Sequence, residues 1–262
     1  MDTRIANKIP LPTPEDGTNA LEIMQNGDIW LGTYNEGHKI WDNINKRVCN
    51  AWSILDTDPF NGHAYVDLGL PSGTLWASTP LTSSEGEALY FQWGDTEGWT
   101  AEQVQNDEKA FAYDGSDYKW NEGEFQCDGS SMTKYNATDG KVILDLEDDA
   151  AHVHMGGDWH MPTKEQLEEL KANTTSTWTT KDGINGRLFT SKVNGNSVFV
   201  PAFGGIFDGD VYDVGSSGYV WSSSVDDESL YNAWLLYFSS SYLGVNGYFT
   251  RTDGRVVFGV VG

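Results

Sequence analysis

The fold of this chain is decided by the stretch Tyr65-Val66-Asp67-Leu68-Gly69-Leu70-Pro71-Ser72-Gly73-Thr74-Leu75-Trp76-Ala77. Apolar residues on both sides of the Pro-Ser-Gly triplet predict two short strands, and the triplet has the residue types of a turn. The preceding residues 56–62 are rich in Asp, Asn, Pro and Gly, which is typical of a linker. The sequence therefore predicts that one domain covers residues 63–262 and that an N-terminal arm covers residues 1–62.

The composition favours a β-rich fold. The 262 residues include eleven Trp, twelve Tyr, eleven Phe and 29 Gly, which suits a single large domain with many turns and a small appendage. No apolar run approaches the ~18 residues that a membrane-spanning helix needs, so membrane insertion is not expected. The formal net charge of −23 repels phosphate backbones, which argues against a nucleic-acid partner and leaves a cationic partner open.

Two helices are predicted within the domain. The first covers Asp148–Met155 and ends at a pair of glycines. The second runs from Thr163 to Ala172, with Thr163 and Gln166 forming a capping box at its start. Residues 95–140 lack periodicity and are predicted to be loops. Further strands are predicted at residues 188–191, 197–201, 219–222, 233–238 and 256–261.

The N-terminal arm has a different texture. Residues 1–20 are rich in Pro and polar residues and predict an extended segment. Short strands are predicted at residues 21–24, 28–34 and 38–41, but so few residues bury little core alone. We therefore expect the arm to pack against a neighbour, another copy of the chain or an assembly. The first eight residues lack the apolar core of a signal peptide, so we expect synthesis in the cytoplasm without secretion.

Residues 229–262 contain no Lys, Glu, Gln or Met. They are rich in Tyr, Ser, Gly and Asn, together with Leu, Val and Phe. Tyr offers a large, rigid contact area with few rotatable bonds, and Ser, Gly and Asn offer adaptable hydrogen bonding. The composition indicates a surface that recognises another molecule.

Six ordered blocks of sequence carry a resemblance to a known family. They are residues 65–77, 90–95, 148–151, 156–163, 194–202 and 218–224. Together these blocks resemble the major paralogous domain of Bacteroidetes and Fibrobacter surface proteins. The resemblance implies a C-type lectin-like fold in the branch of formylglycine-generating enzyme, an α+β class that is β-rich with two short helices. The chain departs from the family at residues 256–260, where a Ser-Val-Arg-Pro-Val ending is usual, and at His160, where Arg is common.

The C-terminal residues narrow the resemblance. They resemble the fixed frame of variable proteins that are diversified by retroelements, at residues 221–224, Ala233, Trp234, Leu236, Phe238, Val245, Arg251 and Gly254. In such systems, miscopied adenines turn AAC-type codons into NNC-type codons, which encode no Lys, Glu, Gln, Met or Trp. The resemblance thus gives the tail composition a second explanation, and Trp234 coincides with a frame position.

The residues that could support chemistry do not form a recognisable site. Cys49 and Cys127 are too few and too distant for a disulfide framework, and the cysteine-based copper site of the formylglycine-generating branch would lack its second cysteine. His152 and His154 would face different sides of a helix, so zinc binding with His160 lacks a convergent ligand set. Calcium-dependent sugar motifs of C-type lectins are absent, and carboxylate pairs occur by chance among 39 acidic residues. We expect no enzyme activity, no cofactor and no metal, and a sugar ligand bound without calcium stays open.

The resulting hypothesis is a non-catalytic receptor-binding protein, a phage fibre or host-attachment protein of the virion that is assembled in the host cytoplasm. Its variable segment, residues 221–262, would bind a host cell-surface protein or glycan. The N-terminal arm would contact other virion proteins and form a homotrimer, which raises avidity. The alternatives are a bacterial cell-surface adhesin of the same fold and a structural decoration protein of the virion.

The predicted ligand contacts alternate with residues expected to point inward, such as Trp234, Leu236 and Phe238, because neighbouring side chains of a strand face opposite sides. Trp221 and Trp234 are expected to support the binding surface from beneath, and Trp76, Trp93, Trp159, Trp178 and Trp221 to build the core. The contacts are Ser229, Tyr231, Asn232, Leu235, Tyr237, Ser239, Ser241, Tyr242, Asn246, Tyr248, Phe249, Thr252, Asp253 and Arg255.

Overall fold

The computed structural model describes residues 60–262 in full and, before them, the backbone of four strands. The chain divides into two compact units, Met1–Asp58 and Pro59–Gly262. The first unit contains one antiparallel sheet in the order β1-β2-β3-β4. Its strands are β1 Thr18–Ile23, β2 Ile29–Thr33, β3 His38–Asp42 and β4 Arg47–Asn50. The first three match predicted strands, the fourth was not predicted, and most of the predicted extended segment 1–20 lies outside the described residues.

The second unit is β-rich, with three short α-helices and several small antiparallel sheets, as an α+β class requires. The sheets have the orders β15-β6-β5, β7-β8-β9, β10-β11 and β12-β13-β14. In the described residues no helix is long and apolar enough to cross a membrane. The strands are β5 Tyr65–Asp67, β6 Leu75–Ala77, β7 Thr174–Lys181, β8 Ile184–Ser191, β9 Ser197–Pro201, β10 Gly205–Phe207, β11 Asp210–Tyr212, β12 Ser217–Val225, β13 Asn232–Ser239, β14 Leu243–Thr250 and β15 Val260–Val261. The helices are α1 Ala101–Gln105, α2 Ala150–Met155 and α3 Lys164–Asn173, with a 3-10 turn at Leu146–Asp148.

Capping boxes begin two of the helices. The one predicted for α3 is confirmed, because the Thr163 hydroxyl accepts from the Gln166 amide at 3.3 Å and Gln166 Oε1 accepts from the Thr163 amide at 2.9 Å. Helix α1 begins with the same arrangement at Thr100 and Gln103. The prediction of loops throughout residues 95–140 is therefore wrong at Ala101–Gln105, since a helix this short shows no apolar periodicity.

The sheet β12-β13-β14 lies between two apolar cores. The first core contains Trp159 and Trp221, and the second contains Trp76. Leu235 of β13 points into the first core and its neighbour Leu236 points into the second, and neither side chain is exposed. Both faces of this sheet are therefore covered in its middle.

The predicted tryptophan core is confirmed for four residues. Trp76, Trp93, Trp159 and Trp221 are each exposed by 1% or less. Trp178 is half-buried and packs against the second core from outside. Each of the four buried rings comes from a different block of the family resemblance, so those blocks form the interior of the domain.

The end of the chain forms less strand than predicted. Only Val260–Val261 pair with a neighbour, β6, whereas Val256 makes a single parallel bridge to Val220 of β12. The intervening backbone threads between packed side chains: a Cβ at Gly259 would lie 2.5 Å from the sulfur of Met155. The predicted strand over 256–261 is thus shortened to its last residues, because the backbone before Val260 changes partner from one residue to the next: Val256 bonds to β12, and the carbonyls of Val257 and Gly259 accept from the amides of Leu81 and Ala77.

Candidate ligand-binding face

Strands β12, β13 and β14 and the turn after β14 contain the predicted variable segment. Leu236 and Phe238 point inward as predicted, with no exposed surface. Tyr237 lies between them on the other side of the sheet and is half-buried. Leu235 points to the same side of β13 and is part of the first core, so this side of the strand reaches solvent only near its C-terminal end, at Tyr237.

Five predicted contacts lie in the interior and are corrected here. The side chains that share this burial, each exposed by 5% or less, are Asn232, Leu235, Thr252, Asp253 and Arg255. For Asn232 and Leu235 of β13, alternation along the strand separates two faces, but both faces are covered here; Thr252, Asp253 and Arg255 follow the end of β14, where the chain runs through the interior. These five can support a surface and cannot touch a macromolecule across it.

The other predicted contacts reach solvent. The exposed ones are Ser241, Tyr242 and Tyr248, and the half-buried ones are Ser229, Tyr231, Tyr237, Ser239, Asn246 and Phe249. Tyr248 is the most open, with 66% of its surface exposed, and Tyr242 follows with 44%. These two rings are the outermost apolar groups of the C-terminal segment.

Six aromatic rings form one connected surface, which we call the aromatic face: Tyr212, Tyr219, Tyr237, Tyr242, Tyr248 and Phe249. Cross-strand stacking joins Tyr219 and Tyr237, whose centroids are 4.9 Å apart at 20°. Tyr237 also contacts Tyr242 at 5.3 Å, and Tyr248 stacks on Phe249 at 5.1 Å. Such pairs hold each other in fixed positions, so the face offers rigid contact area.

A buried cation lies beneath the aromatic face. The guanidinium of Arg255 is 4.8 Å from the ring centre of Tyr219 and 5.6 Å from that of Phe249. It donates to the carbonyl oxygens of Ile206 and Gly254 and to the carboxylate of Asp253. The pair neutralises itself inside the protein, and the guanidinium fixes the rings above it from below.

Burial raises the pKa of Asp253 to about 6, and the neighbouring Arg255 opposes the rise. The phenol of Tyr219 donates to Asp213 at 2.8 Å, and burial also raises the pKa of this phenol well above its ordinary value. Tyr219 therefore remains a neutral hydrogen-bond donor.

A second buried cation, Arg251, anchors the turn that follows β14. Its guanidinium donates to the phenol of Tyr118 at 3.0 Å and to the carbonyls of Tyr135, Leu230 and Lys134 at 2.9 to 3.1 Å. No carboxylate pairs with it in the described part of the chain. This residue ties the C-terminal segment to the loop of residues 118–135.

The two tryptophans predicted to support the surface lie on different sides of the sheet. Trp221 lies in the first core, with its ring 5.9 Å from the guanidinium of Arg255. Trp234 packs against the second core, and the ammonium of Lys164 lies 3.5 Å from its ring. The prediction is wrong for Trp234, because strand alternation places it opposite Tyr237.

The candidate metal ligands do not converge as a histidine site. The ring nitrogens of His152, His154 and His160 contact four separate carbonyls: His152 that of Trp159, His154 that of Thr96, and His160 those of Met161 and Gly262. Among the described residues, one cluster of three carboxylates has oxygens within 4.8 Å of one another: Asp145, Glu147 and Asp148. The ammonium of Lys134 already contacts all three of these carboxylates.

Comparison of the chain with protein-family models, curated proteins and solved structures returns no significant match. The interpretation of the aromatic face as a binding surface therefore depends on its geometry alone. Sequence reasoning missed strand β14 and the contributions of Tyr212 and Tyr219. The burial of Leu235 had a usable signal in the continuous apolar run from Ala233 to Phe238, which is typical of a strand buried on both faces.

Proposed function

We propose that this chain is a non-catalytic receptor-binding protein and that the aromatic face binds its ligand. The observation that carries the proposal is that Tyr242 and Tyr248 are exposed and pack on the rings of Tyr237 and Phe249. The guanidinium of the buried Arg255 lies close to Phe249 and Tyr219 and so supports this group of rings from within. Exposed, connected aromatic surface is rare on soluble domains and marks interaction sites. Tyr in such a setting combines large contact area with little entropy loss.

The separation of scaffold from surface supports diversification by a retroelement. Trp221, Arg251 and Gly254, which resemble the fixed frame, are buried and Trp234 is half-buried, whereas Tyr242 is 44% and Tyr248 66% exposed. Exposed positions accept most side chains at little cost in stability. The surface can therefore change its sequence while the domain keeps its structure.

The finer fold proposed for the second unit is the C-type lectin-like fold. The resemblance blocks support it, because they supply the hairpin β5–β6, the buried tryptophans, the connection into α3 and strand β12. The last strand, β15, pairs with that first hairpin through Val260 and Trp76 and so closes the domain.

The biological setting is proposed with the same function. The protein would be a phage fibre or attachment protein of the virion, with the first unit contacting other virion proteins and forming a homotrimer, and with a host surface protein or glycan as receptor. A bacterial surface adhesin is the second candidate. A structural decoration protein is the third, and it requires the aromatic face to be buried in the assembly.

The experiment that tests the proposal is sequencing of the encoding locus and of the same gene in sibling isolates. We expect a reverse transcriptase gene and an adenine-rich near-copy of the region encoding residues 221–262. Substitutions should fall at the exposed Tyr242 and Tyr248 and at the half-buried Tyr237 and Asn246, and should spare the buried Leu235. An invariant tail without a template copy would overturn the diversification proposal.

A further inference from the structure

A surface cleft lies beside the C-terminal segment, in the part of the second unit that the resemblance blocks do not cover. Its volume is about 330 Å³, and the turn Tyr113–Ser116 and the loop Gly123–Cys127 form its walls. The ring of Tyr113 is 54% exposed and is supported by Phe207, whose centroid is 5.5 Å away. The cleft thus carries an open aromatic wall.

The second ring of the cleft, Phe125, is half-buried and is packed by the backbone opposite. Gly115 has φ +65°, and a Cβ there would lie 2.8 Å from this ring. On its other side Phe125 contacts Tyr231 edge to face, with 6.2 Å between centroids. The cleft is therefore continuous with the C-terminal segment at Tyr231, one of the predicted contacts that reaches solvent.

Two carboxylates line the cleft without a cationic partner. Asp114 accepts from the Ser116 amide at 3.0 Å, and hydrogen bonds from Ser116 hold the pKa of this carboxyl below its ordinary value. Glu124 is exposed. No Lys or Arg in the described residues forms an ion pair with either one, and the nearby Lys109 pairs with Asp117 instead.

We propose that this cleft binds one cationic side chain, Lys or Arg, of the protein that the aromatic face contacts. The proposal rests on the proposed binding function and deepens it by naming the chemistry of the partner. A cation in the cleft would lie beside the aromatic rings of Tyr113 and Phe125, and Asp114 and Glu124 supply the opposite charge. The overall charge of −23 favours approach of a basic partner.

A second acidic cleft in the same chain shows whether negative charge alone is enough to bind a cation. A second cleft, about 320 Å³, is lined by Glu85, Glu87, Glu102 and Glu108 but by no aromatic residue. A cation that is attracted only by acidic surface would bind there as well. A cation that needs aromatic walls would prefer the cleft at Tyr113.

The test is a titration of the isotope-labelled full chain, followed by NMR, with N-acetyl-lysine methylamide and N-acetyl-arginine methylamide at low salt. The neutral probes are N-acetyl-norleucine methylamide and methyl glucoside. We expect saturable shifts at the Ser116 and Glu124 amides with the cationic probes. The double variant Asp114→Asn/Glu124→Gln should weaken binding by about fivefold, and Phe125→Leu by about threefold.

The variant pair Glu85→Gln/Glu102→Gln is the matched control and should leave this affinity unchanged. Asn at position 114 keeps the oxygen that accepts from Ser116, so the turn is retained, and an unchanged spectrum elsewhere verifies the fold. Equal binding of methyl glucoside would favour a glycan ligand and overturn the proposal, as would equal binding of cations at both clefts. Because the titration needs no receptor, its failure leaves the locus test of the binding function untouched.

Discussion

Leu235 and Tyr248 provide the sharpest test of how the C-terminal segment divides into scaffold and surface. Both were predicted contacts, yet Leu235 has no exposed surface and Tyr248 is 66% exposed. Truncating each to alanine should have opposite consequences. Leu235→Ala should destabilise the domain, and Tyr248→Ala should leave its stability unchanged while weakening ligand binding.

The magnitude for Leu235→Ala follows from its burial. The change removes three carbons from the first core, and at about 0.8 kcal/mol per carbon the loss of transfer free energy is about 2.4 kcal/mol. Tight packing around Leu235 leaves a cavity, which brings the expected loss of unfolding free energy to about 3–5 kcal/mol. For Tyr248→Ala we expect a change within about 0.5 kcal/mol, as for other open surface positions.

The assay is urea unfolding of the full chain, followed by tryptophan fluorescence, because five indole rings are buried among the described residues of the second unit. Thermal unfolding should agree, with a Tm lowered by about 2–4 °C per kcal/mol in a domain of this size. A Leu235→Ala variant with unchanged stability would refute the buried placement of β13. A Tyr248→Ala variant that loses more than about 2 kcal/mol would refute the view that the aromatic face is dispensable for folding.

Three further outcomes follow from the same structure. Arg251→Met should lower the unfolding free energy by more than about 3 kcal/mol in urea unfolding, because four buried acceptors lose their donor, and an unchanged value would contradict its anchoring role. The raised pKa of Asp253, about 6 against an ordinary 3.8, means that the folded state keeps a proton that the unfolded state releases. The contribution of Asp253 to the unfolding free energy therefore falls by about 2 kcal/mol as pH rises from about 4 to about 6. Asp253→Asn should abolish this fall, which urea unfolding at the two pH values would measure, and a pH dependence equal to that of the unaltered protein would contradict the raised pKa. Gly218→Ala places a methyl group 2.1 Å from the Phe238 ring and should cost about 1–3 kcal/mol, measured by thermal unfolding; a neutral result would contradict this packing.

The parts of the fold that were predicted correctly have local causes. A capping box needs only Thr163 and Gln166 at the right spacing, and large aromatic rings such as Trp93 are buried in almost any fold that can enclose them. Strand β14 escaped prediction because Gly244 and Gly247 interrupt its pattern. Gly247 is needed by the tertiary structure, since a Cβ there would lie 2.8 Å from the Trp234 ring.

The sequence by itself determined that the C-terminal segment is rich in Tyr, Ser, Gly and Asn, that its aromatic neighbours build a core, and that the chain carries a large negative charge. Only the tertiary structure decided which of those C-terminal residues reach solvent. Side-chain alternation distinguishes the two faces of a strand but does not say whether one or both are covered. Here two cores cover β13, so Leu235 supports the domain, and the surface that can bind a ligand lies where Tyr242 and Tyr248 reach solvent beside Tyr237 and Phe249.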